Sequence, residues 1–177
     1  MQDNQYRPSY LLALDQSSRV TGWSIFDLST KELIKTGKWS IPGEDKLSMQ
    51  ERLMTFWENL SDVYMAYPIE QIVYEDIQLQ RGNVKTFKTL SYIQATILLW
   101  CGDDYSFNPT CISPSHWRSV LKDEYGIEWG RKRADQKAAA QKFAKEQTGK
   151  DFTEDEADSY CIGLAYLTEE GKATCAF

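Results

Sequence analysis

The sequence predicts an α/β fold in which helices flank a mixed sheet, made of an antiparallel three-strand meander continued by parallel strands. Three short apolar or alternating runs, bounded by turn residues, come first and predict the meander. Each later strand-like run is reached through a segment with helical apolar spacing, the pattern of crossover connections. We expect one domain over residues 1–177, with residues 1–9 as a flexible polar tail, because this length suffices for one sizeable core.

The meander is predicted from the first forty residues. Tyr10–Leu14 is apolar and predicts a buried strand, which delivers Asp15 at its end. A polar turn leads to a second strand over Thr21–Leu28, and another turn leads to a third over Leu33–Ser40. Asp15 has two interpretations: it caps a strand-to-turn junction, or it belongs to a site that compensates a carboxylate at the end of an apolar strand.

The rest of the chain alternates between helical and strand-like segments. Apolar spacings of three, four and seven predict a helix over Leu47–Tyr67, and the strand after it, Ile69–Tyr74, delivers Glu75 at its end. The last helix begins with a capping box, because Glu156 follows Thr153 by three residues. The other predicted elements are a helix at Asn83–Trp100, a short strand within Tyr105–Ile112, helices at Ser115–Lys122 and Arg131–Gln147, and the last helix from Thr153 to about Glu169, stopping at Gly171.

Charge is distributed unevenly along the chain. The net charge of −6 and the pI of about 4.9 argue against a nonspecific nucleic-acid binder. Basic residues nevertheless outnumber acidic ones, nine to five, over Ser115–Lys150, whereas acids concentrate at Asp151–Asp158. A basic surface beside an acidic pocket suits an enzyme that holds phosphates and metal cations together. Solvated helix faces are the alternative interpretation.

The sequence disfavours membrane and zinc proteins. No run approaches the roughly 18 apolar residues of a membrane helix, and the first ten residues lack a signal-peptide layout, so we expect a cytoplasmic protein with no membrane partner. The single histidine, His116, has no evident nucleophile partner and is assigned no role. The cysteines lack zinc-ligand spacing, which favours reduced, buried thiols: Cys101, Cys111, Cys161 and Cys175.

Four acids stand where a site is expected. Asp15 and Glu75 each end a predicted strand, while Asp155 and Asp158 are three apart in the last helix and share one face. Carboxylates are the ligands that Mg²⁺ and Mn²⁺ prefer, and converging acids need cations or protons to offset their repulsion. The alternative for Asp155 and Asp158 is that they complement the helix macrodipole in its first turn.

The sequence resembles the RuvC-type Holliday-junction resolvases, in particular their phage and prophage branch. The resemblance covers about 150 residues and is carried, in order, by LALDQSSRVTGWSIF, IVYEDIQLQRGNVKTFKTL, SHWRSVLK, GRKRADQKAAAQKFAKEQTG and DEADSYCIGLAY. It implies an RNase H-like fold and a homodimer. It also implies an enzyme that nicks four-way junctions and other branched DNA by hydrolysis, with two Mg²⁺ or Mn²⁺ ions per active site. The acidic overall charge departs from the family. No sequence-reading loop is recognisable after Glu75, which leaves the cleavage-sequence preference open.

Matching the motifs residue by residue implies four residues that are both metal ligands and catalytic: Asp15, Glu75, Asp155 and Asp158. The neighbouring acids Asp76 and Glu156 stay open as alternatives. The family places a basic residue or two near the scissile phosphate, and Arg118, Arg133 and Lys137 are the candidates here. The full set of basic residues predicted to contact DNA is Arg81, Lys85, Lys88, Arg118, Arg131, Lys132, Arg133 and Lys137.

Apolar and aromatic residues near these motifs have two interpretations each. The resemblance implies that an apolar residue after Glu75 wedges into the junction centre, and core or dimer packing is the alternative for each candidate: Ile77, Leu79 and Phe87. The resemblance also implies that the helix over Asn83–Trp100 forms the dimer interface. Three aromatic residues among the basic ones either stack on bases or pack between helices: Trp117, Tyr125 and Trp129.

Two other functions stay open. A non-catalytic junction-binding protein of phage DNA processing would bind branched DNA without turnover, and the retention of all four acids argues against it. A sugar-kinase- or actin-like ATPase is suggested by a loose resemblance of Asp15–Gly22 to a phosphate-binding hairpin. The chain is too short for two such domains and has no second glycine-rich phosphate loop, so we expect no nucleotide cofactor.

Overall fold

The computed structural model describes residues 8–78, 83–102 and 108–174, without the side chains of residues 172–174. Its strands are β1 (Tyr10–Asp15), β2 (Val20–Asp27), β3 (Leu33–Ser40), β4 (Ile69–Glu75) and β5 (Thr110–Ile112). Its helices are α1 (Met49–Ala66), α2 (Val84–Trp100), α3 (Pro114–Tyr125), α4 (Arg133–Thr148) and α5 (Glu154–Thr174). The strands form a five-stranded sheet in the order β3-β2-β1-β4-β5, which confirms the predicted mixed α/β architecture.

The pairing of the strands places two of the predicted acids side by side. β1, β2 and β3 pair in antiparallel fashion, and β4 and β5 extend the sheet in parallel. Within the parallel β1–β4 pair, Leu14 is opposite Tyr74. The next residues of these strands are Asp15 and Glu75, so both lie at the same end of two adjacent strands. Asp15 is also paired with Gly22 near the start of β2.

The sheet separates two apolar cores because side chains alternate between its faces along each strand. Leu12 and Leu14 contribute to the core that α1 and α2 complete. Leu11 and Ala13 point the other way, into the core that α3, α4 and α5 complete. Helices therefore cover both faces of the sheet, and the ends of the strands remain as the place where a site can form.

Local sequence explains where the helices begin and end. The Ser48 hydroxyl caps α1, and the Ser113 hydroxyl, followed by a proline, caps α3 by accepting a hydrogen bond from a backbone N–H. Gly126 and Gly149 close α3 and α4 in left-handed conformations with φ of 69° and 73°. Glycine adopts this conformation without the steric cost of a Cβ atom.

One predicted boundary is wrong. α5 continues through Gly171 to Thr174 instead of stopping there. A helix-interior glycine costs only about 1 kcal/mol, which the packing of a long helix outweighs. The Lys31 ammonium also donates a hydrogen bond of 3.1 Å to the carbonyl of Leu167 in this part of α5. The predicted short strand over Tyr105–Ile112, interrupted at Asn108-Pro109, contains β5 at Thr110–Ile112, and its residues 105–107 lie outside the described residues.

Helix α5 approaches the sheet closely because glycines stand at the contact. A Cβ atom on Gly22 would lie 1.9 Å from the carbonyl oxygen of Asp155, and one on Gly163 would lie 2.4 Å from the ring of Phe26. Both distances are far shorter than van der Waals contact, so a larger residue at either position displaces its neighbour. The contact at Gly22 sets the first turn of α5 against the start of β2.

Three further predictions concern cysteines, the tail and membranes. Cys101 and Cys161 are buried, but Cys111 is exposed because it lies on the edge strand β5, so the prediction of buried thiols is wrong there. Residues 1–7 of the predicted tail and Cys175 lie outside the described residues. Within the described ranges, no helix has the length and apolar character needed to cross a membrane.

Candidate active site

A cavity of about 650 Å³ lies at the end of the sheet where β1 and β4 finish. Its wall includes the turn between β1 and β2, the first turns of α2, and parts of α3, α4 and α5. The four predicted acids all line it: Asp15, Glu75, Asp155 and Asp158. Side chains of opposite charge share the same wall: Arg19, Arg118, Arg133 and Lys137. The fold therefore brings acids from three distant segments to one cavity that also contains cations.

A buried glutamine ties the two acid-bearing strand ends together. The side-chain amide of Gln16 donates a hydrogen bond to the backbone carbonyl of Glu75 and accepts one, at 3.1 Å, from its backbone N–H. The side chain of Gln94 donates a second hydrogen bond to the same carbonyl at 3.1 Å. Gln16 thus continues the β1–β4 pairing past the last paired residues. This fixes the backbone of Glu75 beside that of Asp15.

The first turn of α5 supplies the other two acids. The backbone N–H and the hydroxyl of Thr153 donate to the Glu156 carboxylate at 2.9 Å and 2.6 Å, so the half of the predicted capping box that the Glu156 side chain forms is present. Glu156 is therefore used by the helix cap and does not line the cavity, whereas Asp155 and Asp158 both do. Of the two neighbouring acids left open as alternatives, only Asp76 lines the cavity.

The ammonium of Lys137, from α4, lies between two of the acids. Its Nζ atom is 3.7 Å from Asp15 Oδ2 and forms a hydrogen-bonded ion pair with Asp158 Oδ2. Burial alone lowers the pKa of Lys137, but the charges of Asp15 and Asp158 outweigh that effect and raise it. The lysine therefore stays charged and compensates part of the negative charge of the cavity.

One ammonium does not compensate all of the acids. Burial raises the pKa of Asp15 well above its ordinary value of 3.8, and repulsion from Asp158 and Glu75 raises it further. Burial also raises the pKa of Asp158, against the lowering effect of Lys137. The pKa of Glu75 is raised by burial too, although a hydrogen bond from Trp117 lowers it. The ionised forms of these acids are therefore disfavoured unless further positive charge binds.

The donor set has the chemistry of a divalent-cation site. As the structure stands, no group of three or more His, Cys, Asp or Glu side chains in its described ranges is arranged to hold a metal ion. In this arrangement the Lys137 ammonium lies between Asp15 and Asp158. Carboxylates that are buried and repel one another gain stability from a hard divalent cation. The donor type of these residues therefore suits a hard divalent cation, although their arrangement in the described ranges is not that of a formed metal site.

Three of the predicted DNA-contacting residues line the cavity, namely Arg118, Arg133 and Lys137. Arg118 is the best defined of them. Its guanidinium carbon lies 4.5 Å from the ring centre of Trp117, and its buried Nε atom has no hydrogen-bond partner among the described residues. Because Arg118 also lines the cavity, its planar guanidinium is suited to contact a phosphate oxygen there.

The other predicted DNA-contacting residues are not among those that line the cavity. Lys85 forms an exposed ion pair of 2.7 Å with Glu44, and Lys88 lies 5.9 Å from the ring centre of Tyr92. Arg131 and Lys132 are exposed just before α4, and Arg81 lies outside the described residues. For these five residues, contact with DNA stays a prediction.

Sequence reasoning gave no role at the site to Gln16, Gln94 or Trp117. The indole Nε1 of Trp117 donates a hydrogen bond of 2.8 Å to Glu75 Oε1. Trp117 and Trp129 are buried and pack edge to face, which excludes the base-stacking interpretation for both and confirms helix packing. The position of Gln16 directly after Asp15 was the only signal in the sequence, since the bonds from Gln94 and Trp117 depend on tertiary contacts.

Of the other residues interpreted from the sequence, some line the cavity and others do not. Ile77 and Phe87 line the cavity, so the wedge interpretation stays a prediction for both, and Leu79 lies outside the described residues. His116 Nε2 forms an exposed hydrogen bond of 2.8 Å with Glu169 Oε1, away from the cavity, which explains a histidine at the start of α3 without a catalytic role.

Half of the chain is similar in sequence to curated RuvC proteins. It is 32% identical over 85 residues to the crossover junction endodeoxyribonuclease RuvC of Dechloromonas aromatica, which covers 48% of this chain and 46% of that protein. It is 31% identical over 90 residues to RuvC of Wolbachia sp. subsp. Brugia malayi, covering 50% and 55%. The matched region therefore spans about half the length of these relatives. No family model matches the chain.

The likeness to solved structures extends over nearly the whole chain. Thermus thermophilus RuvC superposes with a TM-score of 0.72 at 12% identity, covering 93% of this chain and 97% of that one. The chain is therefore similar to RuvC proteins in sequence over half of its length and in fold over nearly all of it. The yeast mitochondrial Holliday junction resolvase Ydc2 superposes on the RuvC-like chain with a TM-score of 0.62 at 12% identity, covering 98% and 84%. These superpositions confirm the predicted RNase H-like architecture.

Proposed function

We propose that this RuvC-like protein is a divalent-metal-dependent, structure-selective endonuclease that nicks four-way DNA junctions and other branched DNA. The observation that carries the proposal is the presence of Asp15, Glu75, Asp155 and Asp158 on one cavity. Two comparisons support it. The relatives matched over half of the chain are crossover junction endodeoxyribonucleases, and one structure with the same fold is T. thermophilus RuvC in complex with a Holliday junction substrate.

The four carboxylates are the proposed ligands of two Mg²⁺ or Mn²⁺ ions. When bound, two such ions supply the activation of a water molecule and the stabilisation of the leaving oxygen of a phosphodiester. The chain contributes the orientation of the ligands. Gln16 and Gln94 hold the backbone of Glu75, and the contact at Gly22 holds the first turn of α5, with Asp155 and Asp158, against the sheet.

The cations on the cavity wall are the proposed phosphate contacts. Arg118 and Arg133 both line the cavity, and a guanidinium group is suited to a phosphate oxygen. Lys137 compensates Asp15 and Asp158 without metal. Once divalent cations take over that compensation, its ammonium is free to contact the phosphate of the strand to be cut. Local positive charge of this kind allows an acidic protein to hold DNA.

The proposal is tested by incubating a labelled four-way junction with the protein in Mg²⁺ and in Mn²⁺ and separating the strands on a denaturing gel. We expect nicks from the wild type and a loss of at least about 100-fold in Glu75→Gln, because even residues that only support metal ligands are typically worth 10–100-fold. Glu156→Gln is the matched control, since it neutralises an acid of the helix cap outside the cavity. Equal cleavage by the wild type and Glu75→Gln would contradict the proposal.

A non-catalytic junction-binding protein is the second candidate. It is favoured by one observation, that no three acids in the described part of the chain are arranged to hold a metal ion. A single experiment distinguishes the two candidate functions. A junction that is shifted on a native gel yet stays intact in Mg²⁺ and Mn²⁺, across four-way junctions, forks and flaps, identifies the binding protein. Nicks identify the nuclease.

We also propose that the protein acts as a homodimer through the outer face of α2. One side of this helix packs into the core through Ile93, Ile97 and Trp100. Its opposite side exposes large apolar residues within one arc of the helix, namely Val84, Tyr92, Leu98 and Leu99. An exposed apolar face of this kind is typical of an interface, and a second copy is the occupant that the RuvC resemblance implies.

Sedimentation analysis tests the dimer. Leu99 is 67% exposed, so Leu99→Glu should shift the protein from dimer to monomer without unfolding it. Met65→Glu, at the end of α1, is the matched control because Met65 is 82% exposed and lies outside α2. A wild type that sediments as a monomer at tens of micromolar would exclude the homodimer.

A further inference from the structure

We infer that Trp117 is a positioning residue, whose indole sets the orientation of the Glu75 carboxylate and thereby the affinity of the site for divalent cations. The inference rests on the proposed function, which makes Glu75 a metal ligand. It assigns to Trp117 a role in the chemistry of the cavity in addition to its place in the core.

The contact itself is direct and shielded from water. Trp117 Nε1 donates to Glu75 Oε1 at 2.8 Å, and the Trp117 side chain has no exposed surface. An indole has a single polar atom, which is a donor only, so this hydrogen bond uses all of the hydrogen-bonding capacity of the residue. A hydrogen bond to a charged acceptor is also among the stronger ones in proteins. The bond therefore determines which way the plane of the carboxylate is turned.

The indole is held rigidly on its other sides. The ring of Trp129 packs against that of Trp117 at 5.2 Å with an interplanar angle of 89°, and the Arg118 guanidinium carbon lies 4.5 Å from the centre of the Trp117 ring. Trp129 Nε1 in turn donates a hydrogen bond of 2.8 Å to the backbone carbonyl of Arg118. The donor that faces Glu75 therefore cannot turn without moving the two residues that pack on it.

The backbone of Glu75 is fixed independently of the indole. Gln16 pairs with both its N–H and its carbonyl, and Gln94 donates to the carbonyl as well. The only freedom left to Glu75 is in its side-chain torsions, and the hydrogen bond from Trp117 removes it. A ligand whose backbone and carboxylate are both held before metal binding loses less conformational entropy when it binds.

A structural role alone would predict a different outcome. If Trp117 only fills the core and satisfies its N–H with the nearest acceptor, its replacement lowers stability and leaves metal affinity unchanged. If it positions Glu75, the replacement weakens metal binding even where the fold is kept. The affinity of the site for metal, measured without DNA, separates the two roles.

The test uses Trp117→Phe and, as a matched control, Trp129→Phe. Both substitutions remove an indole N–H and keep an aromatic ring, but only Trp117 contacts an acid of the cavity. Titration calorimetry with Mn²⁺, on protein whose folding is checked by circular dichroism, should show affinity about 10–100-fold weaker in Trp117→Phe, the usual effect of removing a residue that supports a metal ligand. Trp129→Phe keeps a ring against Trp117 and loses only the hydrogen bond to the Arg118 carbonyl, so its Mn²⁺ affinity should fall clearly less than that of Trp117→Phe.

A kinetic measurement adds a second signature. In the nicking assay, Trp117→Phe should need a higher Mn²⁺ concentration for half-maximal cleavage and recover most of its rate at saturating Mn²⁺. Mn²⁺ affinity and Mn²⁺ dependence equal to those of the wild type would overturn the inference while leaving the nuclease proposal intact. A wild type that neither binds Mn²⁺ nor cleaves would remove both.

A measurement on the unmodified chain keeps the inference testable if Trp117→Phe does not fold. The indole N–H resonances of Trp117 and Trp129, recorded by NMR with and without Mg²⁺, provide it. Because the Trp117 N–H lies on the Glu75 carboxylate, Mg²⁺ should shift its resonance clearly more than that of Trp129. Equal shifts, or a shift of Trp129 alone, would overturn the inference.

Discussion

Replacing Gly22 by alanine tests whether the approach of α5 to the sheet sets the geometry of the site. The added Cβ atom would lie 1.9 Å from the carbonyl oxygen of Asp155, and contacts under 3.0 Å are essentially never seen, so the two must separate by at least about 1 Å. The displaced turn carries Asp155 and Asp158. A misplacement of about 1 Å in a catalytic group can cost on the order of 100-fold in rate, and overpacking typically costs about 1–3 kcal/mol in stability.

The assay compares junction nicking and urea unfolding for the wild type, Gly22→Ala and Gly102→Ala. Gly102 is the matched control because no atom of the described residues lies within 4 Å of the position that its Cβ atom would take. We expect Gly22→Ala to remain folded, to lose about 1–3 kcal/mol of unfolding free energy and to cleave on the order of 100-fold more slowly. Wild-type cleavage by Gly22→Ala would refute the reasoning that this glycine places the two acids of α5.

Two further predictions concern the metal-free protein. Burial raises the pKa of Asp15, Glu75 and Asp158 in the native state. The native state therefore keeps protons that the unfolded chain releases once the pH exceeds the ordinary carboxyl pKa values of 3.8–4.5. The unfolding free energy should fall as the pH rises above those values. Urea denaturation at a series of pH values measures this slope, and millimolar Mg²⁺ should reduce it. Lys137→Ala leaves two mostly buried carboxylates without their cation and should cost the metal-free protein about 3 kcal/mol, part of which Mn²⁺ restores. An unchanged melting temperature without metal would contradict this role of Lys137.

Most of the fold could be predicted because its signals are local. Alternation and turn residues mark the meander, and apolar spacing together with caps such as Ser48 and Gly149 marks the helices, so the boundaries differ by only a few residues. The end of α5 was wrong because Gly171 is a weak local stop signal that tertiary packing outweighs. The exposure of Cys111 was missed because it depends on β5 being the edge strand, which the order of strands along the chain does not reveal.

The acids of the candidate site could also be anticipated, but their environment could not. Asp15 and Glu75 were identifiable because each ends an apolar run, and adjacent parallel strands bring such ends together. The ion pair of Lys137 with Asp158 joins two helices, and the bond from Trp117 to Glu75 joins a helix to a strand, 42 residues apart in sequence. Contacts of this kind are set by how elements pack, and a single sequence contains no periodic signal for them.

The distribution of charge explains how a chain with a net charge of −6 can have a cavity suited to DNA. Electrostatic interactions between exposed charges are screened beyond about 10 Å at 0.1 M salt, so a bound phosphate responds mainly to nearby groups and little to net charge. On the cavity wall, five acids, Asp76 among them, are accompanied by Arg19, Arg118, Arg133 and Lys137. Divalent cations held by the acids would make the net charge of this wall positive. The negative charge that disfavours DNA in the metal-free protein is therefore the same charge that would bind the cations DNA needs.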